Sequence, residues 1–278
     1  MQVGVVVLNY FNFKETINCV NSLLKQSDVE LEIVVVDNGS TNNSYDILVE
    51  EFHKYTNVTV LNSNENLGYA RGNNIGISYL RNKTLDWIFV ANSDLFFQST
   101  LSMKQLVSQY VKGVGVINPL IVNPDGTVDQ RVSYKKKYIY FRMIKKFVEW
   151  FTGKKIGSSV EHVKQGIELT KTVVGVQENQ YIITGSGFLL CKDFFEHYSG
   201  LYSETFLYYE EWATILLLHK ANLKTKVAEI DPIIHKGGAS TPQNVKNMTK
   251  ERRKICMNSW KAIFKLMCMS QNKVEKYY

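Results

Sequence analysis

The chain has 278 residues, enough for one large domain or a core with an appendage. Its 45% hydrophobic, 21% charged and 12% aromatic residues exclude a disordered chain, a collagen-like repeat and a coiled coil. The formal charge of +7 leaves an anionic partner open, while four cysteines without paired spacing (Cys19, Cys191, Cys256, Cys268) indicate neither a zinc knuckle nor a disulfide frame.

Residues 3–8 form a continuous aliphatic run, as expected of a strand buried on both faces. The run is too short for a signal-peptide core and lacks a basic leader, so a reduced, cytosolic protein is expected. After Asn9, Tyr10 and Asn12 comes a helical pattern with Phe13, Ile17, Val20 and Leu24 on one face. A second buried strand over 31–36 ends in Asp37-Asn38-Gly39-Ser40, followed by a helix over 45–55 and a short strand over 58–61. The polar loop 64–68 leads into a helix over 69–82 that carries two glycines, and a fourth strand over 87–91 closes on Asn92-Ser93-Asp94. Ser99 is expected to cap a helix through Lys112. Strands alternating with helices predict a parallel sheet covered on both faces, with ligands beyond the carboxyl ends of the strands. Each polar cluster lies at such an end.

The second half has a different character. Residues 116–122 read as a strand before the turn Asn123-Pro124-Asp125-Gly126. Residues 180–191 read as strand with a glycine break at Thr184-Gly185-Ser186-Gly187, 210–221 as helix, 225–234 as extended and 247–268 as a long amphipathic helix. No apolar run reaches the roughly 18 residues of a membrane span. Positive charge is concentrated late: residues 134–155 hold eight basic residues against Glu149, and residues 243–278 hold nine against Glu251 and Glu275. Each segment is thus +7, and the remainder sums to −7. Both interleave charge with bulky apolar residues, which suits a helix lying on an anionic membrane and suits equally a solvated face with snorkelling lysines. Nucleic acid has no supporting motif and is not expected as a partner.

Four clusters can carry chemistry. Asp37 can accept hydrogen bonds from a base or ribose, or simply close an Asx-turn with the residues after it. In Asn66-Leu67-Gly68-Tyr69-Ala70-Arg71-Gly72, the glycines permit close backbone approach and Arg71 can meet phosphate, although neither the dinucleotide nor the P-loop spacing is present. Asp94 is a lone carboxylate at a strand end that, with a histidine such as His235 and phosphate oxygens, could hold a hard cation. A hydrogen-bonded core histidine is the plainer reading of His235. Glu210 and Glu211 are adjacent acids at a helix start behind Phe206, Tyr208 and Tyr209. Repulsion and an apolar wall raise a carboxyl pKa and tune a general base, whereas acids in a first turn are also common for the helix dipole alone.

Taken in order, VVVLNYFN at 5–12, VVVDNGSTN at 34–42, ENLGYARGNNIGI at 65–77, VANSDLFF at 90–97, ITGSGFLL at 183–190, the segment 201–225 and IIHKGGAS at 233–240 resemble the family 2 glycosyltransferases, especially the rhamnosyltransferase-like branch. The resemblance implies an α/β GT-A fold: a mostly parallel central sheet flanked by helices over residues 1–240, with a basic amphipathic helical extension over 241–278. It implies inverting transfer of a sugar from a nucleotide-diphosphate donor, a dTDP- or UDP-sugar, to a hydroxyl of a glycan or polyprenyl-linked acceptor. The setting would be bacterial capsule or other surface polysaccharide synthesis, at the inner face of the cell membrane. Asn9, Tyr10, Asp37, Asn66, Gly68, Arg71 and Ser93 would bind the nucleotide, and Asp94 and His235 would hold Mg²⁺ or Mn²⁺. Glu211 would be the catalytic base, with Glu210 binding acceptor or orienting its neighbour. Two departures stand out: Glu211 replaces the usual aspartate, and Ala213 stands where a further acid is common. A nucleotide-sugar binding protein without activity is the alternative on the same fold. A nucleotidyltransferase is disfavoured, because its glycine-rich loop is absent at 9–12.

Overall fold

The computed structural model describes residues 1–129, 131–152, 174–237 and 250–277. In chain order the elements are β1 (Gln2–Asn9), α1 (Phe13–Leu23), β2 (Glu30–Asp37), α2 (Ser44–Phe52), β3 (Val58–Asn62), α3 (Tyr69–Asn82), β4 (Ile88–Asn92), β5 (Leu95–Phe97) and α4 (Ser102–Ser108). Then follow β6 (Val114–Asn118), β7 (Ile121–Val122), β8 (Arg131–Lys135), a 3₁₀ turn (Lys136–Tyr138), α5 (Ile139–Thr152), β9 (Gly175–Gln177), β10 (Gln180–Thr184), β11 (Gly187–Leu190) and α6 (Lys192–Phe195). The last are α7 (Glu210–Lys220), β12 (Lys224–Val227), β13 (Ile233–His235), α8 (Lys250–Cys268) and α9 (Gln271–Tyr277).

Eight strands form the central sheet in the order β3-β2-β1-β4-β11-β6-β12-β9. It is parallel through β3, β2, β1 and β4, and again between β6 and β12, but β11 and β9 run against their neighbours. One core under the sheet takes Val3, Val5 and Val7 of β1 together with α1, α2 and α4, and the opposite core takes Val6 with α3, α7 and α8. A strand covered on both faces has no polar side to alternate, which explains the unbroken valine runs. On α3, a Cβ at Gly76 would come within 2.6 Å of Val6, so the glycines there let the helix lie close on β1.

Three expected strands prove to be pairs. The expected strand 116–122 ends in the main sheet at Asn118 and resumes as β7 in a separate three-stranded sheet, β5-β13-β7. Pro119 has no N–H to continue the ladder, and the Asn118 side chain turns inward to bond Ile182 O, Lys226 O and Thr184 N. The extended stretch 225–234 divides likewise into β12 and β13, and 180–191 divides into β10, paired with β8, and β11 in the main sheet. Ser99 does not cap a helix running to Lys112: α4 covers only Ser102–Ser108, and the Ser99 hydroxyl accepts from Leu101 N.

The C-terminal helix packs into the body of the fold. Cys256, Trp260, Ile263 and Leu266 of α8 are buried, and the Trp260 ring meets Trp212 of α7 edge-on at 5.0 Å and Tyr209 at 5.0 Å. Its apolar side is therefore covered, and Lys254, Lys261 and Lys265 stand on the exposed side. The boundary expected at 240 and the helix start expected at 247 lie outside the described residues, as does the end of the motif at 238–240. All four cysteines are free thiols, and among the described residues no helix is long and apolar enough to cross a membrane.

Candidate active site

The parallel strands β1, β2 and β4 bring Asn9, Asp37 and Asn92 to one edge of the sheet. Asn9 and Asp37 are fully buried. The Asn9 amide donates to Asp37 Oδ2 at 2.6 Å, Ser40 N donates to Asp37 Oδ1 at 2.9 Å, and Asn9 Oδ1 accepts from Thr16 at 2.7 Å. The Asp37 carboxylate thus holds the chain after it through Ser40 N, and this buried pair fixes the loops above it. Tyr10 is half-buried and Phe11 exposed there, their rings edge-on at 4.4 Å, with Phe11 N donating to Ser40 Oγ.

The loop before α3 is held by its own asparagines. The Asn38 amide donates to Asn66 Oδ1 at 3.1 Å and to Gly68 O at 3.3 Å, while Leu67 N donates to Asn38 Oδ1 at 3.0 Å and Gly68 N to Asn66 Oδ1 at 2.9 Å. Asn66 therefore shapes the loop. Gly68 has φ +82°, and a Cβ there would stand 2.0 Å from Phe206 O, so no other residue fits without moving the length of chain that precedes the acidic pair. Arg71 is exposed on the first turn of α3.

Asp94 and Ser93 are buried in the turn joining β4 to β5. The small sheet pairs Leu95 with His235, which sets His235 Nε2 3.2 Å from Asp94 Oδ1. On its other side His235 Nδ1 lies 3.2 Å from Asp129 Oδ2, an oxygen that also accepts from the Ser186 hydroxyl. Burial alone would lower the His235 pKa, but the hydrogen bonds to Asp129 and Asp94 and their charges outweigh it and lift it to about 10. Among the described residues no cluster of three or more acids, histidines or cysteines is arranged to hold a metal. Two donors fit a shared ion once His235 gives up its Nε2 proton to it: adjacent ligands of an octahedral cation at about 2.1 Å lie about 3 Å apart. Asp129 behind the histidine is the carboxylate that commonly orients such a ligand.

The acidic pair opens α7. Tyr208 and Tyr209 both adopt left-handed backbone, each with φ +71°, and so turn the chain sharply into Glu210. Such a conformation costs on the order of 1–3 kcal/mol per residue and persists only where packing over-determines it, here the Tyr209–Trp212–Trp260 ring cluster. Glu211 reaches back over the β10–β11 turn, with its Oε1 only 2.0 Å from where a Cβ on Gly185 would be. The Tyr69 hydroxyl donates to Gly185 O at 3.1 Å, joining the start of α3 to the same turn. Glu210 Oε1 is buried without a hydrogen-bond partner. Burial first, then the charge of Glu211, push Glu210 up to about 8, and burial likewise raises Glu211, opposed by its backbone N–H and reinforced by Asp129.

The turn 184–186 is the hub of this arrangement. Gly185 meets Glu211 and Tyr69, and Ser186 meets Asp129. Asn92 N donates to Ser186 O at 2.9 Å, which ties the end of β4 to the same turn. Sequence reasoning missed Asp129 and Arg131, which flank the turn from β8 and the segment before it. Both are isolated charges in a stretch with no motif, and only the pairing of β8 with β10 brings them to the centre.

A family model described as "Glycosyl transferase family 2" matches residues 3–162. The chain is 35% identical to Glycosyltransferase GlyG of Streptococcus pneumoniae over 92 residues, covering 33% of this chain and 30% of the relative. It is 28% identical to the uncharacterized glycosyltransferase MG060 of Mycoplasma genitalium over 118 residues, covering 39% and 38%. Among solved structures, S. aureus TarS 1-349 in complex with UDP matches with a TM-score of 0.51 at 16% identity over 86% of this chain and 61% of that one. The mannosyltransferase PcManGT of Pyrobaculum calidifontis, in complex with GDP-Man and Mn²⁺, matches with a TM-score of 0.56 at 12% identity over 87% and 57%. These structural likenesses show the fold, and the chain spans about a third of the length of these two curated relatives.

Proposed function

Since the chain belongs to glycosyl transferase family 2, we propose that it transfers a sugar, with inversion, from a nucleoside diphosphate donor of the dTDP- or UDP-sugar kind to a hydroxyl of a glycan or lipid-linked glycan. The observation that carries this reading is the Glu211 carboxylate seated on the Gly185 turn, one residue from the Ser186–Asp129–His235–Asp94 chain of contacts. A base and a diphosphate-side site are thereby joined through one short turn. Glu211, in its ionised form, takes the proton of the acceptor hydroxyl as that oxygen bonds to the anomeric carbon. The bond from that carbon to the diphosphate breaks on the opposite face, and its electron pair leaves with the diphosphate. Glu210, protonated up to about 8, can donate a hydrogen bond to the acceptor. Asp94 and His235 would hold Mg²⁺ or Mn²⁺, which supplies neutralisation of the charge developing on the diphosphate. Asn9 and Asp37 support the nucleotide pocket from beneath, and Tyr10, Asn66, Gly68, Arg71 and Ser93 border it. Ala213 sits in the core two residues beyond Glu211, and residues so spaced on a helix do not face each other, so its lack of charge leaves the base intact.

Release of free nucleoside diphosphate from a panel of UDP-, dTDP- and GDP-sugars, with and without Mn²⁺, tests the reading. Metal-dependent release from one donor, lost in Asp94→Ala, is the expected result. Absence of any nucleotide binding by the wild-type chain would sink it.

We also infer a peripheral membrane position for this transferase. Support comes from the outer side of α5 and the turn before it, where Tyr138, Phe141 and Ile144 are exposed beside Lys135 and Lys137. Met143 and Ile139 on the other side are buried, so among the described residues the exposed apolar side chains lie outside the core. Burying a phenylalanine gains about 2 kcal/mol. Phe141→Ser should therefore weaken co-sedimentation with phosphatidylglycerol-containing vesicles by about 30-fold. Equal retention by purely phosphatidylcholine vesicles would count against an anionic surface.

A further inference from the structure

Arg131 opens β8 and is paired across the ladder with Thr184 of β10. Residues directly opposed on antiparallel strands project to the same face, so the two side chains share one side of this ribbon. Their polar atoms share a condition as well: Arg131 Nε and Nη2 and Thr184 Oγ1 are all buried without a hydrogen-bond partner. Nε and Nη2 make up one edge of the guanidinium, the planar fork that fits two oxygens of a phosphate or carboxylate at once. A guanidinium remains charged in a protein, and leaving its fork buried and empty is unfavourable. An arginine with a purely structural task would have a carboxylate or carbonyl on that edge. Asp129, the acid whose charge acts on Arg131, instead turns Oδ2 to Ser186 and His235.

The place of this fork in the fold is specific. Thr184 is followed by Gly185, against which the base Glu211 rests, and then by Ser186, which bonds Asp129. We propose that the Nε–Nη2 edge of Arg131, with the Thr184 hydroxyl beside it, is an oxyanion clamp that holds a phosphate group of a bound substrate at the reacting centre. The phosphate can come from the diphosphate of the donor or from a phosphate carried by a lipid-linked acceptor; the chemistry of the clamp is the same. The inference deepens the transferase reading and rests on it for the identity of the substrates, but the anion site stands on the buried fork itself.

Inorganic phosphate is the probe, followed by calorimetry and thermal unfolding on the full chain with Arg131→Met and Arg131→Lys. Wild type should bind phosphate and melt higher in its presence. Arg131→Met should lose about 100-fold or more in phosphate affinity, the worth of two charge-assisted hydrogen bonds, while melting no lower than wild type without phosphate. Arg131→Lys keeps the charge without the fork and should fall between. Competition by UDP or dTDP would assign the clamp to the donor diphosphate, and simultaneous binding would assign it to the acceptor. Phosphate affinity unchanged in both variants, or a ligand-free Arg131→Met that melts well below wild type as loss of an internal ion pair would cause, overturns the clamp. A protein that binds phosphate through Arg131 yet binds no nucleotide would keep the clamp and refute the transferase instead.

Discussion

Glu211→Gln should lower sugar transfer by about 10³-fold while leaving nucleoside diphosphate affinity within about 2-fold, since removing a positioned general base typically costs 10²- to 10⁴-fold. The substitution keeps the length and shape of the side chain resting on Gly185 and removes only its ability to accept a proton. Glu210→Gln should behave differently: Glu210 is held neutral up to about 8, so the amide imitates its working form near neutral pH. The sign of the pH dependence follows from the same shifts. Burial raises Glu211 above the ordinary carboxylate range, so the rate should climb with rising pH as that group ionises, on an acid limb displaced upward. Stability should move the other way. A carboxyl whose pKa is raised by folding contributes stability that is full below its unfolded value and lost as pH rises through its folded value. For Glu210 that window runs from 4.5 to about 8, and Glu210→Gln should flatten the decline in melting temperature across it. Turnover and calorimetric melting across this pH range check both, and a Glu211→Gln enzyme with wild-type turnover would remove the base from its role.

Gly185→Ala should cost about 10²-fold in turnover, the effect of a displacement of about 1 Å at a reacting centre, with a stability loss under about 2 kcal/mol. The new methyl would fall 2.0 Å from Glu211 Oε1 but 3.0 Å from its carboxyl carbon. The end of a flexible side chain yields readily, so the fold accommodates the methyl by moving the one oxygen that has to be in place. Near-normal melting with a large loss in kcat would separate this result from misfolding. Wild-type kcat would show that the carboxylate does not work from the position it occupies on the turn.

Much of this arrangement is legible in the sequence, for physical reasons that can be named. Continuous valine runs announce strands covered on both faces, and α3 spans the residues its pattern predicts, 69–82, because its glycines are offset by close packing on β1. Asp37, Asn66, Asp94 and Glu211 are recognisable because each lies where a strand ends or a helix starts. The strands that leave one sheet for another are not legible: hydrophobic runs through 116–122 and 225–234 look continuous, and only the inward turn of Asn118 and the prolines at 119 and 232 mark where they divide. The antiparallel β11 is hidden for a similar reason, since a buried strand reads alike in either direction. Asp129 and Arg131 acquire their meaning from pairing across some fifty residues, which no local pattern encodes. The left-handed pair Tyr208–Tyr209 is contrary to the ordinary preference of aromatic residues and is imposed by the rings packed around it.

That imposed turn has a consequence for the order in which the protein is made. The parallel strands that bear Asn9, Asp37 and Asn92 have all left the ribosome once β4 is made. The turn that aims Glu211 is clasped by Trp260, which emerges much later. A nascent chain can thus assemble its donor shelf early, while the group that would set a sugar in motion stays unaimed until α8 closes over it.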